Sequence, residues 1–313
     1  MTQYIVILLD NTSVSFCYYE NKNTERKLIP LDILKAGIFY AMKENLNIQF
    51  VYPSYTLPKD YIEVIDSIDH VDIKPFSNLS SASSNCVKVI SDIDNYDSNE
   101  SCPCVLRVKK NTLFDKFSEI GKMIERHDRL NIIITDVSTF TDDDFTKYKN
   151  VLKEWSEILE RLYLAKKYPQ LNLITDRMVL DQMNNCGAGD TTITLAPDGC
   201  FYVCPAFYIE EDGYAIGDIE HGLNIKNPQL YKLDHASICR HCDSYQCKRC
   251  VWLNRKTTLE VNTPSHEQCV MAHLERNASR NLLYRIRKQG ISLPLQEISE
   301  IDYLDPFENL KKW

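Results

Sequence analysis

The chain has 313 residues, a formal net charge of −8, 44% hydrophobic and 26% charged side chains, which is the composition of a globular protein of one large domain or two small ones. The parts before and after residue 180 each carry a net charge of −4, so no basic footprint marks a nucleic-acid partner. The longest apolar run, residues 4–9, is far too short to span a bilayer and has no basic region before it, so we expect a cytoplasmic protein with no membrane partner.

Residues 4–9 (YIVILL) form a continuous apolar run rich in branched residues and read as a buried strand. Pro30 can open a helix as its first residue, with Ile33, Leu34, Ile38, Phe39 and Ala41 as its apolar stripe. A second strand is expected over 48–52, stopped by Pro53, then a short helix over 59–68 and strands over 71–76 and 87–90. The Ser-rich residues 77–85 read as a loop and the polar residues 92–103 as a long surface connection. Strands are expected at 105–108, 130–135 and 171–174, and a helix at 113–126. Thr141 can cap a long helix that begins Asp142-Asp143-Asp144 and ends on Lys166-Lys167, charges that suit the helix dipole. Alternating strands and helices imply a mainly parallel sheet with covering helices, an α/β fold of the partial or degenerate (β/α) barrel kind.

This half has no Gly-rich phosphate loop and no Gly-x-Ser-x-Gly motif; between Gly37 and Gly187 its only glycine is Gly121. His70 and His127 stand alone in the sequence and read as surface or satisfied core residues.

Six of the nine glycines lie between Gly187 and Gly222, and eight of the twelve cysteines between Cys186 and Cys269. In a reducing compartment such clustered thiols point to metal ligands rather than disulfides. The densest part, CRHCDSYQCKRC over residues 239–250, has C-x2-C-x4-C-x2-C spacing. Unliganded thiols at this density would be an oxidation liability. Zinc usually takes two C-x2-C pairs well separated in sequence, and here only four residues part them. Sending the last cysteine of the run to a second site relieves the crowding, as in two-cluster ferredoxins. Eight cysteines also meet the demand of two clusters with four thiolates each, so iron–sulfur is favoured and zinc stays open. Ahead of the run, residues 191–208 alternate around Pro197-Asp198-Gly199 and predict a β-hairpin with Cys204 on its return strand; residues 214–223 predict a second turn.

The segment from Cys186 to Cys269 resembles a SPASM domain, the auxiliary-cluster domain of radical SAM peptide- and protein-modifying enzymes. It carries Cys186, Gly199-x4-Cys204, the run Cys239/Cys242/Cys247/Cys250, and Cys269 in the family's order, with the phrases PDGCFYVCP and GDIEHG. The last two intervals of the run are each one residue shorter than the family's usual pattern. The resemblance implies two [4Fe-4S] clusters. One would take Cys186, Cys204 and Cys250, with Cys200 as the candidate fourth ligand or the position left open for substrate. The other would take Cys239, Cys242, Cys247 and Cys269. It further implies domains at 1–183 (radical-SAM-like), 184–290 (SPASM-like) and 291–313 (tail).

Radical SAM proteins follow their first strand with Cys-x3-Cys-x2-Cys, which holds the cluster that binds S-adenosylmethionine. Here that loop, DNTSVSFCYYENKN, offers only Cys17; Cys86, Cys102 and Cys104 are too distant, and the family's Gly-Gly stretch has no counterpart. No S-adenosylmethionine is therefore expected. Taken whole, the chain resembles the CXXX repeat peptide maturase family. Three functions fit. The first is a peptide-binding, electron-relaying maturation protein acting on a ribosomally made Cys-repeat precursor peptide, beside a radical SAM enzyme or other maturation protein. The second is a stand-alone enzyme using a cluster or Cys17. The third is a zinc-stabilised binding module. The basic helical stretch from Glu267 reads as a solvated face, and Phe307, Leu310 and Trp313 as a terminal packing or docking tail.

Overall fold

The computed structural model describes residues 2–76, 85–94, 96, 102–183, 186–210 and 214–306. In chain order the elements are β1 (Tyr4–Leu8), α1 (Leu31–Lys43), β2 (Asn47–Val51), α2 (Lys59–Ile65), β3 (Val71–Pro75) and β4 (Cys86–Ile90). Then come β5 (Cys104–Val108), α3 (Lys110–Asp115), α4 (Phe117–Arg126), β6 (Arg129–Ile134), α5 (Asp142–Leu164), β7 (Gln170–Leu171) and α6 (Thr175–Val179). The rest are β8 (Thr192–Leu195), β9 (Phe201–Tyr202), α7 (Pro205–Ile209), β10 (Gly217–Asp218), β11 (Gly222–Leu223), α8 (Val251–Thr258) and α9 (His266–Lys288). The expected loop at 77–85 falls outside the described residues except for its last position, half of the 92–103 connection does too, and so do Phe307, Leu310 and Trp313.

The chain forms two compact units, one of residues 1–90 with 186–232 and one of residues 91–185 with 233–313. In the first, β1 is central and pairs in parallel with β2 on one side and β8 on the other. β2, β3 and β4 continue in parallel, and β9 closes the other end antiparallel to β8. All of Ile5 to Leu9 are buried, as expected of a strand with neighbours on both sides. Gly37 lets α1 approach this sheet: a Cβ there would stand 2.3 Å from Leu195 Cδ2. The hairpin turn is made by Gly199 at φ +82°, a left-handed conformation that glycine adopts without strain. In the second unit β5, β6 and β7 pair in parallel. The helix α5 begins with the expected capping box, Thr141 with Asp144. Its fully buried Trp155 donates Nε1–H to Phe117 O at 3.0 Å. The mixed α/β fold with parallel pairing is as the sequence predicts.

Six local expectations are corrected. Pro30 is the N-cap of α1 rather than its first turn, and Phe39 is 69% exposed rather than in the stripe. The helix expected over 113–126 breaks at Lys116 into α3 and α4. The strand expected over 171–174 stops at Leu171, because the Asn172 amide replaces the ladder: its Oδ1 accepts from Ile132 N–H at 2.7 Å and its Nδ2 donates to Ile132 O at 3.0 Å. The return strand of the hairpin ends at Tyr202, so Cys204 is the N-cap of α7. Finally, α9 presents no simple solvated face: its first half is buried, including Arg276 at 0% exposure.

Candidate functional site

The cysteine run lies in the second unit, on irregular backbone. Cys239 opens a 3-10 turn, Cys239–His241, closed by Cys242 N–H onto Cys239 O at 3.0 Å. The backbone N–H of Ser244 points at Cys242 Sγ (3.5 Å), that of Arg249 at Cys247 Sγ (3.4 Å), and that of Leu253 at Cys250 Sγ (3.5 Å). Donors aimed at sulfur favour the thiolate form. Arg249 takes a left-handed φ of +44°, which turns the chain between Cys247 and the start of α8. Cys269 sits in the first turn of α9.

The thiols of Cys239, Cys242, Cys247 and Cys269 stand close enough to act on one another's ionisation. Burial, then the charge of Cys242, pushes the Cys239 thiol up to about 11. Cys247 and Cys269 are pushed far above the usual thiol range, by burial first and then by the other members of the set. Cys239 packs with Met183 and Ala236, and Leu233, Cys242, Tyr245 and Cys247 lie against that small apolar cluster. Cys250 caps α8 instead.

Between the cysteines, the run is fastened to α9. Asp243 receives both arms of Arg276, Nε at 2.6 Å and Nη2 at 2.6 Å, and Arg276 Nη2 also donates to Ser299 O at 2.6 Å. Arg177, also buried, reaches Asp243 at 3.3 Å and lies over the Tyr245 ring. Burial raises the Asp243 carboxyl, but the hydrogen bonds and charge of Arg276 and then Arg177 outweigh it and hold it below its ordinary value. His273 donates Nδ1–H to Cys269 O at 2.9 Å, which leaves Nε2 to accept from the Cys242 thiol at 3.6 Å. Burial keeps this imidazole neutral. None of Asp243, His273 or Arg276 stands out in the sequence as a site residue. The available signal is their spacing: Cys269, His273 and Arg276 share one face of a helix.

A buried acid adjoins the run. Glu275 accepts from Tyr148 Oη at 2.7 Å and from Gln246 Nε2 at 3.3 Å, and Gln246 Nε2 also donates to Ala272 O at 2.7 Å. Burial raises the Glu275 carboxyl from 4.5 to about 7, against the pull of its two hydrogen bonds. The folded state therefore holds a proton that the unfolded chain has already lost, so stability falls as pH rises from about 4.5 to about 7. Glu275→Gln should stabilise the protein at pH 8 by on the order of 3 kcal/mol, with the gain vanishing below pH ~4.5. Denaturation midpoints of both proteins across that range check this; an equal difference at both ends would refute it.

In the first unit, Cys186 precedes the turn at Gly187, and Cys204 ends the hairpin. The Cys204 thiol is raised well beyond the usual range by burial, then by the charges of Cys186 and Cys17, against backbone N–H groups of Ala206 and Phe207 that favour its thiolate. Cys200 has different company. Its strand position bridges Asp218, its N–H donates to Asp198 Oδ1 at 3.0 Å, and its thiol is raised by burial and then by Asp198 and Asp218. Of the two histidines read from sequence, His70 contacts Asp72 and Ile68 O. His127 is buried against Cys102 O, Cys104 and Tyr96. Among the described residues, no group of three or more His, Cys, Asp or Glu side chains is arranged to hold a metal ion. No helix among them is long and apolar enough to cross a membrane.

Two solved proteins share this fold. The protein anSMEcpe, solved with bound AdoMet and a Cp18Cys peptide, superposes with a TM-score of 0.61 at 13% identity, over 92% of this chain and 100% of that one. SuiB of Streptococcus suis, solved with S-adenosylmethionine, superposes with a TM-score of 0.51 at 12% identity, over 86% of this chain and 75% of that one. At such identities the likeness is one of fold. No protein-family model and no curated protein sequence matches the chain.

Proposed function

We propose that this chain is a cytoplasmic peptide-maturation protein that holds a Cys-repeat precursor peptide and carries two auxiliary [4Fe-4S] clusters on a degenerate radical-SAM-like barrel. The observation that carries the reading is the packing of Cys239, Cys242 and Cys247 about one small apolar cluster, with His273 of α9 meeting both Cys242 Sγ and Cys269 O. The chemistry of the donor set is that of an iron–sulfur site. It is all sulfur, Cys239 and Cys269 are buried and Cys242 and Cys247 partly so, and N–H groups of Ser244 and Arg249 point at two of the sulfurs. Without a cation, burial and the neighbouring thiols raise Cys239, Cys247 and Cys269; a cationic core reverses the sign of the interaction between thiolates. A single zinc would draw its sulfurs to roughly 3.8 Å from one another, given Zn–S bonds of about 2.3 Å, whereas a four-iron core accepts a wider set.

When bound, such clusters supply one-electron transfer. The chain's own contribution is to hold the thiolates, through the Asp243–Arg276 clamp and the N–H donors, and to keep the site dry. The shared fold with anSMEcpe, a protein solved with peptide and AdoMet, supports the peptide as partner. The loop after β1 offers only Cys17, so the radical step belongs to a partner enzyme. Anaerobic reconstitution tests the reading. About eight iron and eight sulfide per chain are expected, with no 5′-deoxyadenosine released from S-adenosylmethionine by the chain alone. Stoichiometric zinc without iron uptake would replace the reading with that of a zinc-stabilised module.

A further inference from the structure

Outside the SPASM-like segment, Cys102, Cys104, His127 and Tyr96 of the second unit meet at the start of β5. Cys102 and Cys104 are two residues apart where the strand begins, so they share one face. Their sulfurs stand 3.8 Å apart. A disulfide needs about 2.0 Å, so closing the pair asks for a shift of about 1.8 Å. Pro103 stands between them, and its fixed φ limits the chain entropy that closing the ring would cost.

The two sulfurs differ in access. Cys102 is partly exposed, whereas Cys104 is 0% exposed. A small reagent from solution therefore meets Cys102, and Cys104 reacts only with a group already carried there. His127 is fixed on this pair. A carbonyl can only accept, so its Nδ1 carries the hydrogen that reaches Cys102 O at 2.9 Å, and its Nε2 accepts from Tyr96 Oη. The same Nδ1–H lies 3.6 Å from Cys104 Sγ, whose thiol donates to Cys102 O at 3.3 Å. Once Cys104 loses its proton, that imidazole N–H is in place to donate to the thiolate.

We propose that Cys102 and Cys104 form a redox-active pair that exchanges with small-molecule disulfides, Cys102 as the attacking sulfur and Cys104 as the resolving one. The Cys102 thiolate attacks the disulfide, forms a mixed disulfide with one half and releases the other as a thiol. Cys104 then attacks Cys102 Sγ, which forms the Cys102–Cys104 bond and releases the second thiol. The pair gives up two electrons and two protons, and the disulfide takes up both as it becomes two thiols. In a reducing compartment the resting pair is the dithiol and its disulfide is transient. The pair is independent of the clusters, since neither thiol is among their proposed ligands.

Equilibrating the full chain, purified anaerobically, with reduced and oxidised glutathione tests this, read by alkylation and mass spectrometry. Trypsin releases residues 89–107 as one fragment whose only cysteines are Cys102 and Cys104. In the wild-type chain that fragment should pass from two alkylated thiols to an internal disulfide. A two-electron exchange takes it from about one tenth to about nine tenths oxidised over a roughly hundred-fold rise in the ratio of oxidised glutathione to the square of reduced glutathione. Cys104→Ser should instead accumulate glutathione on Cys102, because nothing resolves the mixed disulfide. Cys102→Ser should leave Cys104 unmodified. A dithiol unchanged across the wild-type series would overturn the proposal, and that series needs no variant to fold. A glutathione adduct on Cys102 as abundant in the wild-type chain as in Cys104→Ser would also overturn it, by showing a reactive thiol without a resolving partner.

Discussion

Removing iron from the reconstituted protein should open the segment from Leu233 to Cys269 to proteolysis first, while β1, β2, β5 and β6 stay protected. Apart from the Asp243–Arg276 pair and α8, the segment has little to hold it. Between Leu233 and Cys250 its regular structure is two short 3-10 turns, and its apolar cluster centres on three buried residues, Met183, Ala236 and Cys239. Metal ligation at a structural site can supply on the order of 10 kcal/mol of folding free energy, more than the whole margin of many domains. Without a cation, the raised thiols of Cys239, Cys242, Cys247 and Cys269 stay protonated, and the N–H groups of Ser244 and Arg249 then face neutral sulfur. The strands contain no proposed ligand and rest on apolar burial: Ile5, Phe50, Leu106 and Ile132 are all within the core. Limited proteolysis with mass-spectrometric mapping, before and after chelation, reads the difference. Identical first cleavage sites in both states would refute the prediction.

What the sequence reveals of this protein follows from how local each feature is. The strands β1 and β6 are legible because a run of branched apolar residues needs only itself to be recognised, and Thr141 with Asp144 because a capping box spans four residues. The hairpin around Gly199 is legible for the same reason, its turn chemistry being written in three residues. The break at Lys116 is not, since Leu113, Phe117, Ile120 and Ile124 keep helical spacing across it. Nor is the short β7, where the Asn172 side chain bonds to Ile132, forty residues away in sequence. In the site, the spacing of the cysteines announces metal chemistry, yet the residues that hold them do not announce themselves. Asp243 is an ordinary polar residue inside the run until it meets Arg276, 33 positions later. The loop after β1 reads as free-standing until Tyr208 and Glu210 hold it at Asn11 and Glu20, some 190 residues away in sequence. Both are tertiary pairings, and hydrophobic periodicity carries no information about them.

Arg276→Ala should destabilise the second unit by about 3–5 kcal/mol, the usual cost of leaving one half of a buried ion pair behind. Arg276 is fully buried, and its removal would strip Asp243 of two hydrogen bonds and Ser299 O of one. Arg177 is the remaining cation, but at 3.3 Å it meets Asp243 less closely than Arg276 does. Lysine should not rescue the site, because a single ammonium cannot serve two carboxylate oxygens and a carbonyl from the position of a planar fork. The pH dependence carries a second signature. The folded Asp243 carboxyl lies below its ordinary value of 3.8, so the pair stabilises the fold fully above that value and loses its contribution as pH falls through the lower folded value. The gap between wild type and Arg276→Ala should therefore be widest at neutral pH and narrow in acid. Asp243→Asn, measured alone and with Arg276→Ala, completes a double-mutant cycle in which the double variant should lose clearly less than the sum of the singles. Because Asp243 adjoins Cys242, the same loosening should shorten iron retention, and the stability and retention losses should track each other across the cycle. Denaturant unfolding of Arg276→Ala within about 1 kcal/mol of wild type, the range of an exposed pair, would show that the clamp does not hold the run.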